Sequence, residues 1–116
     1  MHELSLAQGA LDIVTAAARA NGAARVVSVR VEVGALAQIE PEALRFAFEV
    51  VQRGTVAEGA RLEFVSVAGE AWCLDCAATV QLERRGDPCP RCDGFGLKVT
   101  AGDRMRVIDI DVDEGA

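Results

Sequence analysis

Tyrosine is absent from this 116-residue chain, tryptophan and histidine occur once each, and aromatic residues make up only 4% of the sequence. A core must therefore be built from Val, Leu, Ile and Ala, within an apolar content of 51%. That suffices for one modest domain, or one with a small appendage. No apolar run approaches the roughly 18 residues needed to cross a bilayer. No Lys or Arg precedes Arg19, so the basic start of a secretory signal is missing. The expectation is a cytoplasmic protein without membrane association. Positive charge is scarce as well. The net charge is −6, and segment 70–100 sets Arg84, Arg85, Arg91 and Lys98 against Glu70, Asp75, Glu83, Asp87 and Asp93. A phosphate-binding surface needs the opposite balance, so no nucleic-acid partner is expected. Internal repeats and low-complexity tracts are also lacking.

What is present is a set of four cysteines in two short pairs, Cys73-Leu74-Asp75-Cys76 and Cys89-Pro90-Arg91-Cys92, separated by residues 77–88. In each C-x2-C knuckle the turn aims two thiolates at one point, and two knuckles close a tetrahedron around zinc. Disulfides would suit a secreted mini-protein, but this chain has enough other sequence to make a core without such staples. Four thiolates fill every position of a tetrahedral ion and leave none for water or substrate. The site therefore reads as structural zinc and the protein as a non-enzyme. A rubredoxin-like iron centre uses similar knuckles and stays open as an alternative. Trp72, Phe95 and Leu97 are expected to form a small core beside the metal.

Elsewhere the periodicity predicts an α+β fold. Leu4, Ala7, Leu11, Val14 and Ala18 fall at helical spacing, and Asn21-Gly22 supplies a stop, giving a first helix over about 4–20. Val27, Val29, Val31 and Val33 alternate with Ser28, Arg30 and Glu32 as in a half-buried strand that ends at Gly34. Pro41 suits a helix's first turn, and Leu44, Ala47, Phe48 and Val51 provide the stripe of a second helix before Gly54. Further strands are expected over 61–68 and 104–112. The unit 25–68 would be a strand–helix–strand crossover, parallel if its strands share a sheet. The expected architecture is two helices on a three-stranded mixed sheet, with a four-cysteine zinc ribbon inserted. Residues 1–69 plus 101–116 would form one domain and 70–100 the zinc-binding domain, joined flexibly at Gly69 and Ala101-Gly102.

A second metal site is suggested at the other end. His2 is the only histidine, and it directly follows Met1. The terminal amine, the His2 backbone nitrogen and its imidazole can chelate one ion in adjoining small rings, and the Glu3 backbone nitrogen can complete a square plane. Nitrogen donors in that array suit Ni(II) or Cu(II) and not zinc. The Glu3 carboxylate is either an added ligand or a cap on the first helix.

Met1-His2-Glu3-Leu4-Ser5-Leu6-Ala7 resembles the start of the HypA/HybF family of nickel metallochaperones, which serve maturation of [NiFe]-hydrogenases. The resemblance continues through Val31-Glu32-Val33-Gly34-Ala35-Leu36, Pro41-Glu42-Ala43-Leu44-Arg45-Phe46-Ala47-Phe48-Glu49, both cysteine knuckles and Met105-Arg106-Val107. It covers essentially the whole chain. It implies that Met1, through its amine, His2 and Glu3 hold Ni(II) as transient cargo, with an acidic residue near the second helix, Glu40, as a further candidate. It implies Cys73, Cys76, Cys89 and Cys92 as zinc ligands. The implied partners are a HypB-type GTPase, a [NiFe]-hydrogenase large subunit and, where urease is also served, urease maturation proteins. One departure is that Ala77-Ala78 and Asp93-Gly94 stand where some relatives place histidines beside the cysteines. A zinc-ribbon adaptor in which His2 is incidental remains the alternative.

Overall fold

A computed structural model describes residues 2–114. Helix α1 runs His2–Ala20 and buries Ala7, Ala10, Leu11, Val14 and Ala18 along one face. Leu4, expected on that stripe, is instead exposed. Glu3 in the first turn and Arg19 in the last complement the helix dipole. The Asn21-Gly22 stop has a definite geometry. Gly22 turns left-handed at φ 64°, its N–H donates to the Arg19 carbonyl, and the Ala23 N–H reaches back to Ala18 at 3.0 Å. This paired closure satisfies carbonyls that a helix end otherwise leaves bare.

Strand β1 (Arg25–Gly34), helix α2 (Pro41–Val51) and strand β2 (Arg61–Val67) follow, and β6 (Met105–Asp113) closes the chain. These strands form a three-stranded sheet in the order β2-β1-β6, so the sequence neighbours β1 and β2 do share a sheet. Ala24 donates to Asp113 and Gly34 to Arg104; partners descend along β6 as β1 ascends, and the pair is antiparallel. Helix α2 begins at Pro41, whose missing N–H costs nothing at that position. It buries Leu44, Ala47 and Phe48. Phe48, 1% exposed, contributes on the order of 1.5–3 kcal/mol by leaving water. Arg45 ties α2 to β2, donating to the Leu62 carbonyl and lying over the Phe64 ring at 4.9 Å.

A second three-stranded sheet was not foreseen. It comprises β3 (Gly69–Cys73), β4 (Ala78–Leu82) and β5 (Leu97–Ala101) in the order β4-β3-β5, both pairs antiparallel. Its inward residues, Ala71 and Leu82, pack with Leu36, while Cys73, Cys89 and Val80 form an adjoining cluster. Leu97 packs against both clusters as expected, but Trp72 and Phe95 do not join them; they are 40% and 72% exposed. Trp72 follows inward-facing Ala71 on a strand, and the pleat turns it outward.

The chain divides into two compact units. The first contains residues up to Val31, Ile39–Val65 and the stretch from Arg106 on; the second contains Glu32–Gln38 and Ser66–Met105. Residues 70–100 all lie in the second unit, which is larger than that segment. The added piece 32–38 is held firmly. Gly34 donates to Arg104, Ala35 to Val67 and Leu36 to Gly102, at 3.0, 2.9 and 2.8 Å. The Arg85 guanidinium donates to the Leu36 carbonyl at 3.3 Å.

Gly69 and Gly102, expected as flexible joints, are crowded positions within the second unit. A Cβ on Gly69 would lie 2.5 Å from Leu36 Cγ, and one on Gly102 would lie 2.4 Å from the Ala68 oxygen. Both positions need glycine because another part of the chain occupies the side-chain space.

Candidate metal centres

The four cysteine sulfurs converge within the second unit. All lie within 4.8 Å of one another, with Cys73 and Cys92 at 3.7 Å and Cys76 and Cys89 at 3.9 Å. Four sulfurs about 2.3 Å from a common tetrahedral centre would stand about 3.8 Å apart, so the donor set fits one ion.

Local backbone geometry produces this convergence. In the first knuckle the Cys76 N–H donates to Cys73 Sγ at 3.4 Å, and in the second the Arg91 N–H donates to Cys89 Sγ at the same distance. Each knuckle is followed by a left-handed residue, Ala77 at φ 51° and Asp93 at φ 60°, which reverses the chain after its second cysteine. The second knuckle is closed further by bonds from Asp93 N–H to Cys89 and from Cys89 N–H to Gly94, each 2.8 Å. Sequence reading found the cysteines but not these reversals. Ala77 carries no composition signal for a left-handed turn.

Crowding sets the sulfur electrostatics. The Cys76 thiol is pushed up to about 12, first by hydrogen bonding with Cys92 and then by burial. Burial pushes Cys89 upward too, but the N–H groups of Arg91 and Cys92, together with hydrogen bonding to the Cys73 and Cys92 sulfurs, bring that thiol down to about 7. Such opposed shifts mean that adjacent sulfurs do not all ionise unaided. A bound dication favours the all-thiolate state.

The second candidate site lies in the first unit. His2 and Glu3 open α1, and His2 Nδ1 stands 3.5 Å from Glu3 Oε2, an ion pair when the imidazole is protonated. The His2 side chain is 59% exposed. The Glu3 carboxyl is held below its usual range, principally by its own backbone N–H at the helix start, then by His2, and also by the Glu40 backbone N–H. Glu40 is the cap residue of α2, and its side chain makes no capping hydrogen bond. Thus Glu3 and the Glu40 backbone come together. Met1, the remaining residue of the expected chelate, lies outside the described residues. Beside Glu3 runs an apolar groove of about 400 Å³ lined also by Leu4, Ala43, Phe46, Ala47 and Val50.

A family model described as "Hydrogenase/urease nickel incorporation, metallochaperone, hypA" matches residues 1–112. The chain belongs to the HypA family. Hydrogenase maturation factor HypA from Rhodopseudomonas palustris strain BisA53 is 50% identical over 113 residues, covering 97% of this chain and 100% of the relative. The factor of the same name from Rhizobium leguminosarum bv. viciae is 49% identical over 112 residues, covering 97% and 99%. The solution structure of the Ni metallochaperone HypA from Helicobacter pylori matches with a TM-score of 0.71 at 22% identity, over 97% of this chain and 98% of that one. A second HypA solution structure gives 0.73 at 23% identity, over 99% and 98%. At those identities the structures establish a shared HypA fold, while the sequence relatives establish the family. Among the described residues, no helix is long and apolar enough to cross a membrane.

Proposed function

We propose that this protein is a cytoplasmic nickel carrier that receives Ni(II) at its N-terminus and passes it on during maturation of [NiFe]-hydrogenase. The observation that carries this reading is the placement of an exposed His2 beside a half-buried Glu3 at the start of α1. In the proposed chelate, Met1 supplies its amine, His2 its imidazole and backbone nitrogen, and Glu3 its backbone nitrogen or carboxylate. Glu40 is the candidate for a further ligand. Acid favours nickel release, because the imidazole and amine must both be deprotonated to bind.

Zn(II) is the ion proposed for Cys73, Cys76, Cys89 and Cys92. When bound it supplies cross-linking and charge neutralisation with no position left open for chemistry. The two metals then have separate tasks. A structural zinc site is worth on the order of 10–16 kcal/mol of apparent binding free energy and makes a poor donor, whereas an open terminal chelate can exchange. The proposed partners are a HypB-type GTPase, a [NiFe]-hydrogenase large subunit and, where urease is also served, its maturation proteins. The groove along Leu4, Phe46 and Val50 offers such a partner an apolar seat beside the cargo.

Nickel titration tests this reading in three forms of the protein: native, His2→Ala, and one with residues added before Met1. Both altered forms are expected to lose the nickel site and to retain one zinc per chain. Undiminished nickel binding by the extended form would eliminate the terminal-amine chelate.

A further inference from the structure

The four cysteines are alike in sequence but unequal in the fold. Cys73 and Cys89 are fully buried, Cys76 is intermediate, and Cys92 is exposed. Two sulfur approaches, Cys73 to Cys92 at 3.7 Å and Cys76 to Cys89 at 3.9 Å, run between the knuckles. Their backbones differ too. Cys73 lies on β3, the central strand bonded to β4 and β5. Cys92 lies in a turn before left-handed Asp93, and its sulfur rests 3.3 Å from where a Gly94 Cβ would be.

We propose that this thiolate cluster is a peroxide-sensitive switch, oxidised first at Cys92 and closed by a Cys73–Cys92 disulfide that breaks up the metal site. This rests on the reading that the cluster holds zinc. Exposure decides which sulfur a dissolved oxidant meets first. The Cys92 thiolate attacks one oxygen of hydrogen peroxide; the S–O bond forms, the O–O bond breaks, and hydroxide leaves. Cys73 then attacks the Cys92 sulfenic sulfur; the S–S bond forms, the S–O bond breaks, and a second hydroxide leaves. The two thiolates lose two electrons in all, peroxide gains them, and each hydroxide takes a proton from solvent to become water. Closing 3.7 Å to the roughly 2.05 Å of a disulfide requires movement by Cys92, the sulfur with the less constrained backbone. Cys76 and Cys89 alone are then too few ligands to retain the ion.

The test uses the full zinc-loaded protein, with zinc per chain counted first by elemental analysis. One equivalent of hydrogen peroxide is added with dimedone present or absent. Zinc release is followed with a chromophoric chelator, and remaining thiols are alkylated for peptide mass mapping. The expected result is dimedone on Cys92 and, without dimedone, loss of two thiols with a Cys73–Cys92 disulfide and release of the zinc. Dithiothreitol followed by zinc should restore both thiols and metal. A dominant Cys73–Cys76 or Cys89–Cys92 disulfide, dimedone chiefly on another cysteine, or zinc kept after two thiols are lost would overturn the proposal. A first count of no zinc would remove the zinc reading itself before any peroxide was added, so the two failures are distinct.

Discussion

Gly34 and Gly102 meet backbone to backbone: a Cβ built on Gly34 would fall 2.1 Å from the Gly102 carbonyl oxygen. The neighbouring Leu36 N–H donates to that same oxygen at 2.8 Å, so the obstacle is main chain already committed to a hydrogen bond. Gly34→Ala should therefore destabilise the protein by at least about 1–3 kcal/mol. Gly9 is the matched control. It lies within α1 with open space around its Cβ position, and Gly9→Ala should stabilise by up to about 1 kcal/mol. Denaturant unfolding of both variants checks the pair; equal effects would contradict the close approach.

Leu36 is 1% exposed and packs with Ala71 and Leu82. Leu36→Ala should cost about 2–5 kcal/mol through lost burial and the cavity left behind. Amide exchange should accelerate in β3 and β4 of that unit. Unchanged protection there would mean that Leu36 is not part of its core.

If the cysteine cluster holds zinc as proposed, chelation of the metal, or Cys73→Ser, should abolish that binding and loosen 66–105, because two of the four cysteines, Cys73 and Cys89, share a buried core cluster with Val80. Elemental analysis reads the metal and backbone NMR the unit. An intact spectrum without bound metal would rule out a structural role for the ion.

Glu3 gives a pH signature. Its folded-state pKa is lowered, so the stability it contributes is fully present above the ordinary glutamate pKa and is lost as pH falls through the lowered folded value. Carboxyl-carbon NMR should find its midpoint below the usual glutamate range. In His2→Ala the midpoint should rise only part of the way back, since the largest downward cause is Glu3's own backbone N–H. A complete return would assign the shift to His2 alone.

The helices α1 and α2 and strand β6 were readable because each follows a regular period, whereas β1 buries Val26 and Ser28 as well as Val29 and Val31, so its alternation marks a strand but not a single buried face. In β6, Ile108, Ile110 and Val112 are half-buried while Asp109 and Asp111 are exposed, as the alternation predicts. Asp109 also shows what period alone omits: it pairs with Arg30 across the sheet, and that guanidinium holds its carboxyl below the usual range. The cysteine spacing conveyed the convergence of the metal ligands equally well, since a C-x2-C turn is local. The second sheet was harder to read. Its five-residue strands are too short for a strong period, and Trp72 looks like core by composition although the pleat sends it outward. Leu36 was hidden for another reason. Nothing near it in sequence indicates packing against Ala71 and Leu82, a nonlocal contact made possible by bare glycines at 34, 69 and 102.

The segment 32–38 also limits how the protein can be dissected. A peptide cut to include both knuckles and all three strands, 66–105, would still lack Leu36 and the backbone donors of Gly34 and Ala35. The metal-binding unit is therefore not a portable cassette. Grafting it into another protein, or studying it alone, would require supplying this distant strip of chain as a second fragment.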